Sequence, residues 1–422
     1  MFDHVESLHM SAAEHLASKP LHVADAAVHD FDIFLDPELL RDPHARIIEV
    51  ARNAPPIFWT PRNGGHWLVT CYEDAFRVLR EPETFSSSAT PLERRAAQAA
   101  LPPGARRTPE ITPILMDPPL HTKYRAPLLK VFAPKTVMAL KGDIEALAVS
   151  LVDAVVDAGH CDFIPAVAEQ LPVRVFLKMM GLSAERLVEF RALVREVLAP
   201  AGSDPLVQSR RIRNVADAML DVILARRTDP RDDLISRLWA LEIDDEPMTL
   251  ELMEDYCALL FIAGLDTVIN GIGFGMRHLA QNPTLQRELR ANPKLIPEAA
   301  EELLRRYTFT VPVRRATRDT TLGEWTIRAG DLMIVYLPAV DLDASQFSAP
   351  LEFDVARENK THMAFGAGPH RCLGSHLARI ELQTLYTVVF ERMPVFRLDP
   401  DRPARFHAGN ILAVASLPLR WD

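Results

Sequence analysis

Near its carboxyl end the chain carries the run Phe365-Gly366-Ala367-Gly368-Pro369-His370-Arg371-Cys372-Leu373-Gly374, which limits the possible folds more sharply than any other segment. Glycines at 366, 368 and 374 permit tight backbone turns around a single cysteine and leave room for a flat group to approach its sulfur. Ser375 to Leu382 follows with apolar residues at helical spacing, so Cys372 is predicted to lie just ahead of a helix amino terminus. Unpaired N–H groups and the positive end of the helix dipole favour a thiolate there. Such a thiolate is a good axial ligand for haem iron, and its electron donation favours O–O cleavage. Two other readings stay open at this point. A lone cysteine is more often an inert core residue, and a zinc site could be drawn from His362, His370, Cys372 and His376, although ordinary finger spacing is absent.

Composition narrows the classes. The 422 residues are 48% hydrophobic and 25% charged, which disfavours disorder, coiled coil and collagen-like structure. A net charge of −10 argues against nucleic-acid binding. Residues 1–30 carry acidic side chains and no sustained apolar run, so a loosely ordered arm is expected there, followed by a single domain over 31–422. Cys71, Cys161, Cys257 and Cys372 form no close pair, the pattern of a reduced, cytoplasmic protein. The uncharged run Tyr256 to Leu265 is about half of what a bilayer span requires. Helical periodicity predicts helices near 72–80, 121–130, 134–158, 183–198, 205–226, 249–281, 297–307 and 374–391. Strands are expected near 311–317, 325–337 and 411–419, with a hairpin turning at Asn63-Gly64-Gly65. Ser86 to Leu115, rich in proline and carrying Arg94, Arg95, Arg106 and Arg107, reads as a surface lid.

Two further motifs carry chemistry. Leu259 to Val268 lies inside a long apolar helix with Thr249 as N-cap and Asn282-Pro283 as stop. Gly264 lets a ligand approach the backbone, the Thr267 hydroxyl can back-bond to a carbonyl one turn earlier, and Asp266-Thr267 offers an acid and an alcohol for proton transfer. In Glu298 to Arg306, Glu302 and Arg305 share a helix face.

Together these motifs resemble the cytochrome P450 family, and within it the bacterial camphor-monooxygenase-like class I enzymes. The likeness runs from Asn63-Gly64-Gly65-His66-Trp67 to Leu417-Pro418-Leu419-Arg420-Trp421-Asp422. It implies a mainly α fold with a small β region, one roughly triangular domain burying haem b, and Cys372 as the metal ligand. It also implies His121, Arg125, Arg314 and His370 around the haem carboxylates, and Asp266 and Thr267 as the catalytic pair. Glu302, Arg305 and Arg357 become a structural trio, and Ile114, Leu259, Ile262, Ala263, Thr310, Val311 and Ile411 line the substrate pocket. The resemblance further implies a monooxygenase using O2, a 2Fe-2S ferredoxin and an NAD(P)H-dependent ferredoxin reductase, acting as a soluble monomer. Ser86 to Leu115 has no tyrosine where the camphor enzymes orient their ketone, so the expected substrate is another small apolar molecule, a terpenoid or norisoprenoid. A peroxide-using or isomerising thiolate-haem enzyme, and a non-enzymatic haem sensor or carrier, are the alternatives.

Overall fold

The computed structural model describes residues 16–88, 106–198, 205–409 and 411–422. The long apolar helix forms as Leu250–Gln281, with the Thr249 hydroxyl accepting from the Leu252 N–H at 3.2 Å and Asn282 ending it. Helices Gln170–Met180, Pro205–Thr228, Ile296–Arg306 and Ser375–Arg392 pack around it. Close approach explains a glycine inside the core helix: a Cβ on Gly275 would fall 2.0 Å from the Tyr386 hydroxyl. Helix-interior glycine costs about 1 kcal/mol relative to alanine, and the packing it allows offsets that. By length and composition this helix could cross a membrane, yet 72% of its most apolar window is buried in the protein. Tyr256, Phe261 and Phe274 on it are each no more than 1% exposed, as befits the centre of a core.

The expected β region is a five-stranded sheet ordered Ile57–Thr60, His66–Val69, Leu332–Val335, Val313–Ala316, Phe85–Ser86. The hairpin pairs Trp59 with Trp67 and turns through Asn63 at φ 54°, Gly64 at 84° and Gly65 at 80°. Strand Leu332–Val335 joins His66–Val69 in parallel, so the sheet ties the front of the chain to its last third. Ala413–Ser416 and Pro418–Trp421 supply the strands expected near 411–419.

Several elements differ from expectation. The helix predicted over 134–158 is two, Pro134–Met138 and Lys141–Val156. Helices Pro37–Arg41 and Pro43–Asn53 were not expected, although Asp36 and Asp42 cap them through the Glu38 and Ala45 N–H groups, each just ahead of an N1 proline. Gln170–Met180, Leu234–Trp239 and Pro283–Ala291 were also missed. Of the arm expected over 1–30, residues 1–15 lie outside the described residues, and 16–30 are packed rather than loose. Val23 and Ala27 are buried, the Ala17 N–H donates to the Pro61 carbonyl at 2.8 Å, and Val28 bridges to Trp59. The hairpin gives this segment an apolar face to cover.

Candidate active site

The cysteine loop is built from backbone geometry. Gly366 and Gly368 both sit at φ +68°. A Cβ on Gly368 would lie 2.4 Å from the Leu79 carbonyl oxygen, so this glycine lets the end of helix Tyr72–Arg80 dock on the loop. The Cys372 N–H donates to the Phe365 carbonyl at 2.8 Å and closes the turn, and the expected helix begins at Ser375. Protein atoms crowd the thiol, yet the residue as a whole is exposed, so its sulfur is open to a ligand. Burial raises the Cys372 pKa, while the Gly374 N–H and the charges of Arg125, Arg379 and Arg371 oppose the rise. Cys257 has no such arrangement: it is fully buried in the core helix, with burial pushing its thiol far up. Among the described residues no three His, Cys, Asp or Glu groups converge as metal ligands, so the zinc alternative has no geometry to support it.

Four basic side chains converge beside this loop. Arg125, on helix Leu120–Val131, donates to the Arg371 carbonyl. His121, one turn earlier, lies against His370 with ring centroids 4.0 Å apart. Arg314, on strand Val313–Ala316, is 7% exposed and donates to the neighbouring Val313 carbonyl at 2.8 Å. Both His121 nitrogens and His370 Nε2 are buried with no hydrogen-bond partner. Burial, reinforced by nearby arginine charge, lowers His121 to about 4 and His370 to about 3. Burial lowers Arg314 to about 10, with Asp117 opposing. Asp117 itself accepts from the Ser86 hydroxyl and the Ser87 N–H. Orphaned buried nitrogens beside two arginines that lack a carboxylate partner among the described residues fit a group bearing two carboxylates, as haem does.

On the core helix, Ala263 keeps accessible surface, and Asp266 and Thr267 keep part of theirs, although Phe261 and Leu265 beside them are fully buried. Thr267 donates its hydroxyl to the Ala263 carbonyl at 3.1 Å, the back-bond anticipated from sequence. Asp266 accepts from Asn270 Nδ2 at 3.0 Å, and Asn270 in turn accepts the Val414 N–H at 3.1 Å. Burial raises the Asp266 carboxyl to about 6 against that hydrogen bond.

Leu259 and Ile262 share this helix with Ala263. Thr310 bridges to Ile411, and Val311 beside it is buried. Ile114 departs from the pocket expectation: it is 46% exposed, and Ile111 packs against the core in its place. A turn closed by the Ile114 N–H on the Ile111 carbonyl, with Ile111 at φ 54°, separates the two side chains.

Glu302, Arg305 and Arg357 meet in the interior. Arg305 donates to both Glu302 oxygens at 2.8 and 2.7 Å, and Arg357 Nε approaches both at 3.1 Å. All three are at most 5% exposed, and both guanidinium groups also donate to carbonyls of the 341–352 segment. In isolation the Glu302–Arg305 pair would be a weak surface contact. Here it anchors the chain leading to the cysteine loop.

Two clusters escaped the sequence reading. Arg106, Arg107 and Arg213 bind Asp217, Glu254 and Asp255, strapping the lid segment to two helices. Arg107 Nη1 lies 2.8 Å from Asp255 Oδ1, and Arg213 Nη2 lies 2.9 Å from Glu254 Oε1. Arg94 and Arg95 lie outside the described residues. The second cluster joins Glu301, His362 and Arg379 beside Phe365. Acidic residues on the apolar helix, and an arginine two turns past the cysteine, were the signals available for each.

A glycine-looped cysteine ahead of a helix, a basic cluster fitted to two carboxylates and an acid–alcohol pair on a buried helix define an oxygen-activating haem-thiolate enzyme. Comparison with known proteins gives the family. The family model described as Cytochrome P450 matches residues 206–418. "Probable cytochrome P450 127A1" of Sinorhizobium fredii is 35% identical over 95% of this chain and 96% of its own length. "Mycinamicin IV hydroxylase/epoxidase" of Micromonospora griseorubida is 30% identical over 84% of this chain and 89% of its own. The crystal structure of CYP101J2 superposes with a TM-score of 0.85 at 33% identity, covering 96% of this chain and 100% of that one. The chain belongs to the cytochrome P450 family and is a monooxygenase that carries cysteine-ligated haem and uses O2.

Proposed function

We propose that this monooxygenase inserts one oxygen atom of O2 into a C–H bond of a small, neutral, apolar molecule of the terpenoid or norisoprenoid class. Electrons come from a 2Fe-2S ferredoxin served by an NAD(P)H-dependent reductase. Substrate, O2, two electrons and two protons give the alcohol and water. The observation that carries this reading is the accessible stretch at Ala263, Asp266 and Thr267, in the middle of a helix whose neighbouring residues Phe261, Leu265, Val268 and Ile269 are buried in the core.

Haem held by Cys372, with His121, Arg125, Arg314 and His370 disposed for its carboxylates, supplies O2 activation when bound, and thiolate donation favours O–O cleavage. Asp266, with a carboxyl near 6, can exchange protons at neutral pH, and Asn270 fixes its orientation. Thr267, its proton engaged by the Ala263 carbonyl, turns its free lone pairs away from the helix and can accept a hydrogen bond there. Leu259, Ile262, Ala263, Val311 and Ile411, with the Thr310 hydroxyl among them, are the proposed lining of a mostly apolar pocket. A ten-carbon guest gains roughly 0.8 kcal/mol per buried CH₂, about 8 kcal/mol before association costs. Arg106 and Arg107 are committed to protein carboxylates, which favours a neutral guest over a substrate acid. Residues 31–422, together with the packed 16–30 segment, act as one catalytic unit, a monomer in the cytoplasm, where the free cysteines are at home.

The test is reconstitution with ferredoxin, reductase and NADH over a terpenoid panel. An alcohol formed only with all three components is the expected result. Product formed from hydrogen peroxide alone would favour the peroxide-using alternative. Cys372→Ser should lose the red-shifted carbon-monoxide band of thiolate ligation, and an unchanged band would remove Cys372 from the iron.

A further inference from the structure

We propose that Arg379 is a positioning residue whose charge, offset by Glu301, sets the reduction potential of the haem held by Cys372. The inference rests on Cys372 as the thiolate ligand.

Arg379 lies seven residues beyond the cysteine, on helix Ser375–Arg392. Its Nε and Nη2 donate to the two Glu301 oxygens at 2.6 and 2.9 Å, a bidentate pair with fixed geometry. The same guanidinium sits over the Phe365 ring, 4.5 Å from its centroid. Phe365 is the residue whose carbonyl receives the Cys372 N–H. One rigid chain therefore runs from helix Ile296–Arg306 through Arg379 and Phe365 to the cysteine backbone.

His362 completes the cluster. Its Nδ1 accepts the Ala364 N–H at 3.2 Å, so in the neutral ring the proton resides on Nε2, which donates to Glu301 Oε2 at 3.2 Å. Burial acts to raise the Glu301 carboxyl, yet the hydrogen bonds from His362 and Arg379 hold it down at about 2. Glu301 is thus a fixed anion, shared between Arg379 and His362. Of the arginines that act on Cys372, Arg371 is exposed and screened by solvent. Arg379 has a side chain only 24% exposed, and its guanidinium is held by Glu301 along one edge and stacked over Phe365. Its field is the one that Glu301 modulates directly.

A positive charge near the iron favours the reduced state, and a negative one the oxidised state. Arg379→Met leaves Glu301 uncompensated, so the potential should shift negative. Glu301→Gln leaves Arg379 uncompensated, so it should shift positive. Arg379→Lys keeps the charge and should stay close to wild type. The measurement is spectroelectrochemical titration of substrate-free holoenzyme at fixed ionic strength, with the carbon-monoxide band recorded for each variant. Opposite signs with the thiolate band retained support the proposal. Shifts of the same sign, unchanged potentials, or loss of the thiolate band in both variants would mean a mere structural clamp and overturn it. If Arg379→Met does not fold, a positive shift in Glu301→Gln beside a near-native Arg379→Lys still decides in favour, and its absence against. A wild-type protein without the thiolate band would instead overturn the Cys372 assignment.

Discussion

Thr267 and Asp266 are adjacent in sequence but differently held, and their substitutions should therefore differ. Among the described residues the Thr267 hydroxyl is engaged only by the Ala263 carbonyl, 3.1 Å away within the same helix, so Thr267→Ala should fold normally. It should consume NADH and O2 at nearly the wild-type rate while diverting electrons to hydrogen peroxide, read as product formed per NADH. Equal coupling in both proteins would remove Thr267 from proton delivery. Asp266 is raised by burial to about 6, above the ordinary carboxylate value of 3.8, so it holds its proton below that pH and releases it above. Turnover should show an inflection near pH 6. Asp266→Asn should abolish the inflection and slow turnover by about 10²-fold, within the range for loss of a general acid.

At the scale of elements, helix Ser375–Arg392 carries Glu381, 2% exposed, whose carboxyl burial raises from 4.5 to about 8. The folded protein therefore keeps a proton that the unfolded chain releases near 4.5. Stability should fall as pH rises from about 4.5 to 8 and level off above it, a loss of roughly 3 to 5 kcal/mol if this group acted alone. Glu381→Gln should flatten that slope in melting temperature against pH. An equally steep slope in the variant would place its origin in another group. The lid segment makes a second case. Asp255 accepts from the Glu110 N–H and Arg107 at 2.9 and 2.8 Å and binds the Thr112 hydroxyl at 3.2 Å. Asp255→Asn keeps the size of the side chain but removes its charge. It should weaken substrate binding about tenfold, or roughly 1.4 kcal/mol, in spin-shift titrations. Unchanged affinity would show that the strap does not govern the pocket.

For the whole molecule, a net charge of −10 opposes docking of the proposed electron donor where that ferredoxin is itself acidic, so the proposal calls for a local basic surface to steer it. The cysteine loop is flanked by the end of helix Tyr72–Arg80 and by the helix that carries Arg125 and Lys130. Arg77 spends its charge on Glu81 at 3.2 Å, whereas Arg80 and Lys130 are exposed. Lys130→Glu and Arg80→Glu should slow electron transfer and reduce its dependence on ionic strength, measured by stopped-flow reduction. Rates insensitive to both substitutions and to salt would place the docking face elsewhere.

Local residue order is enough to specify the cysteine loop, the core helix, the hairpin and the helical character of the fold. Each is written in local terms: glycines around one cysteine, a capped apolar period, a turn that needs positive φ. The Thr267 back-bond was legible for the same reason, since donor and acceptor lie one helical turn apart. Spacing did not decide that Glu302 and Arg305 are buried with Arg357, which the family resemblance implied and the packing established, because a pair three residues apart looks the same on a surface as in a core. Tertiary structure alone decided that Ile111 packs inward where Ile114 does not, that residues 16–30 cover the hairpin, and that Arg106 and Arg107 answer to carboxylates on other helices. Those outcomes depend on which distant groups share a low-dielectric interior, and spacing along one chain carries no record of that.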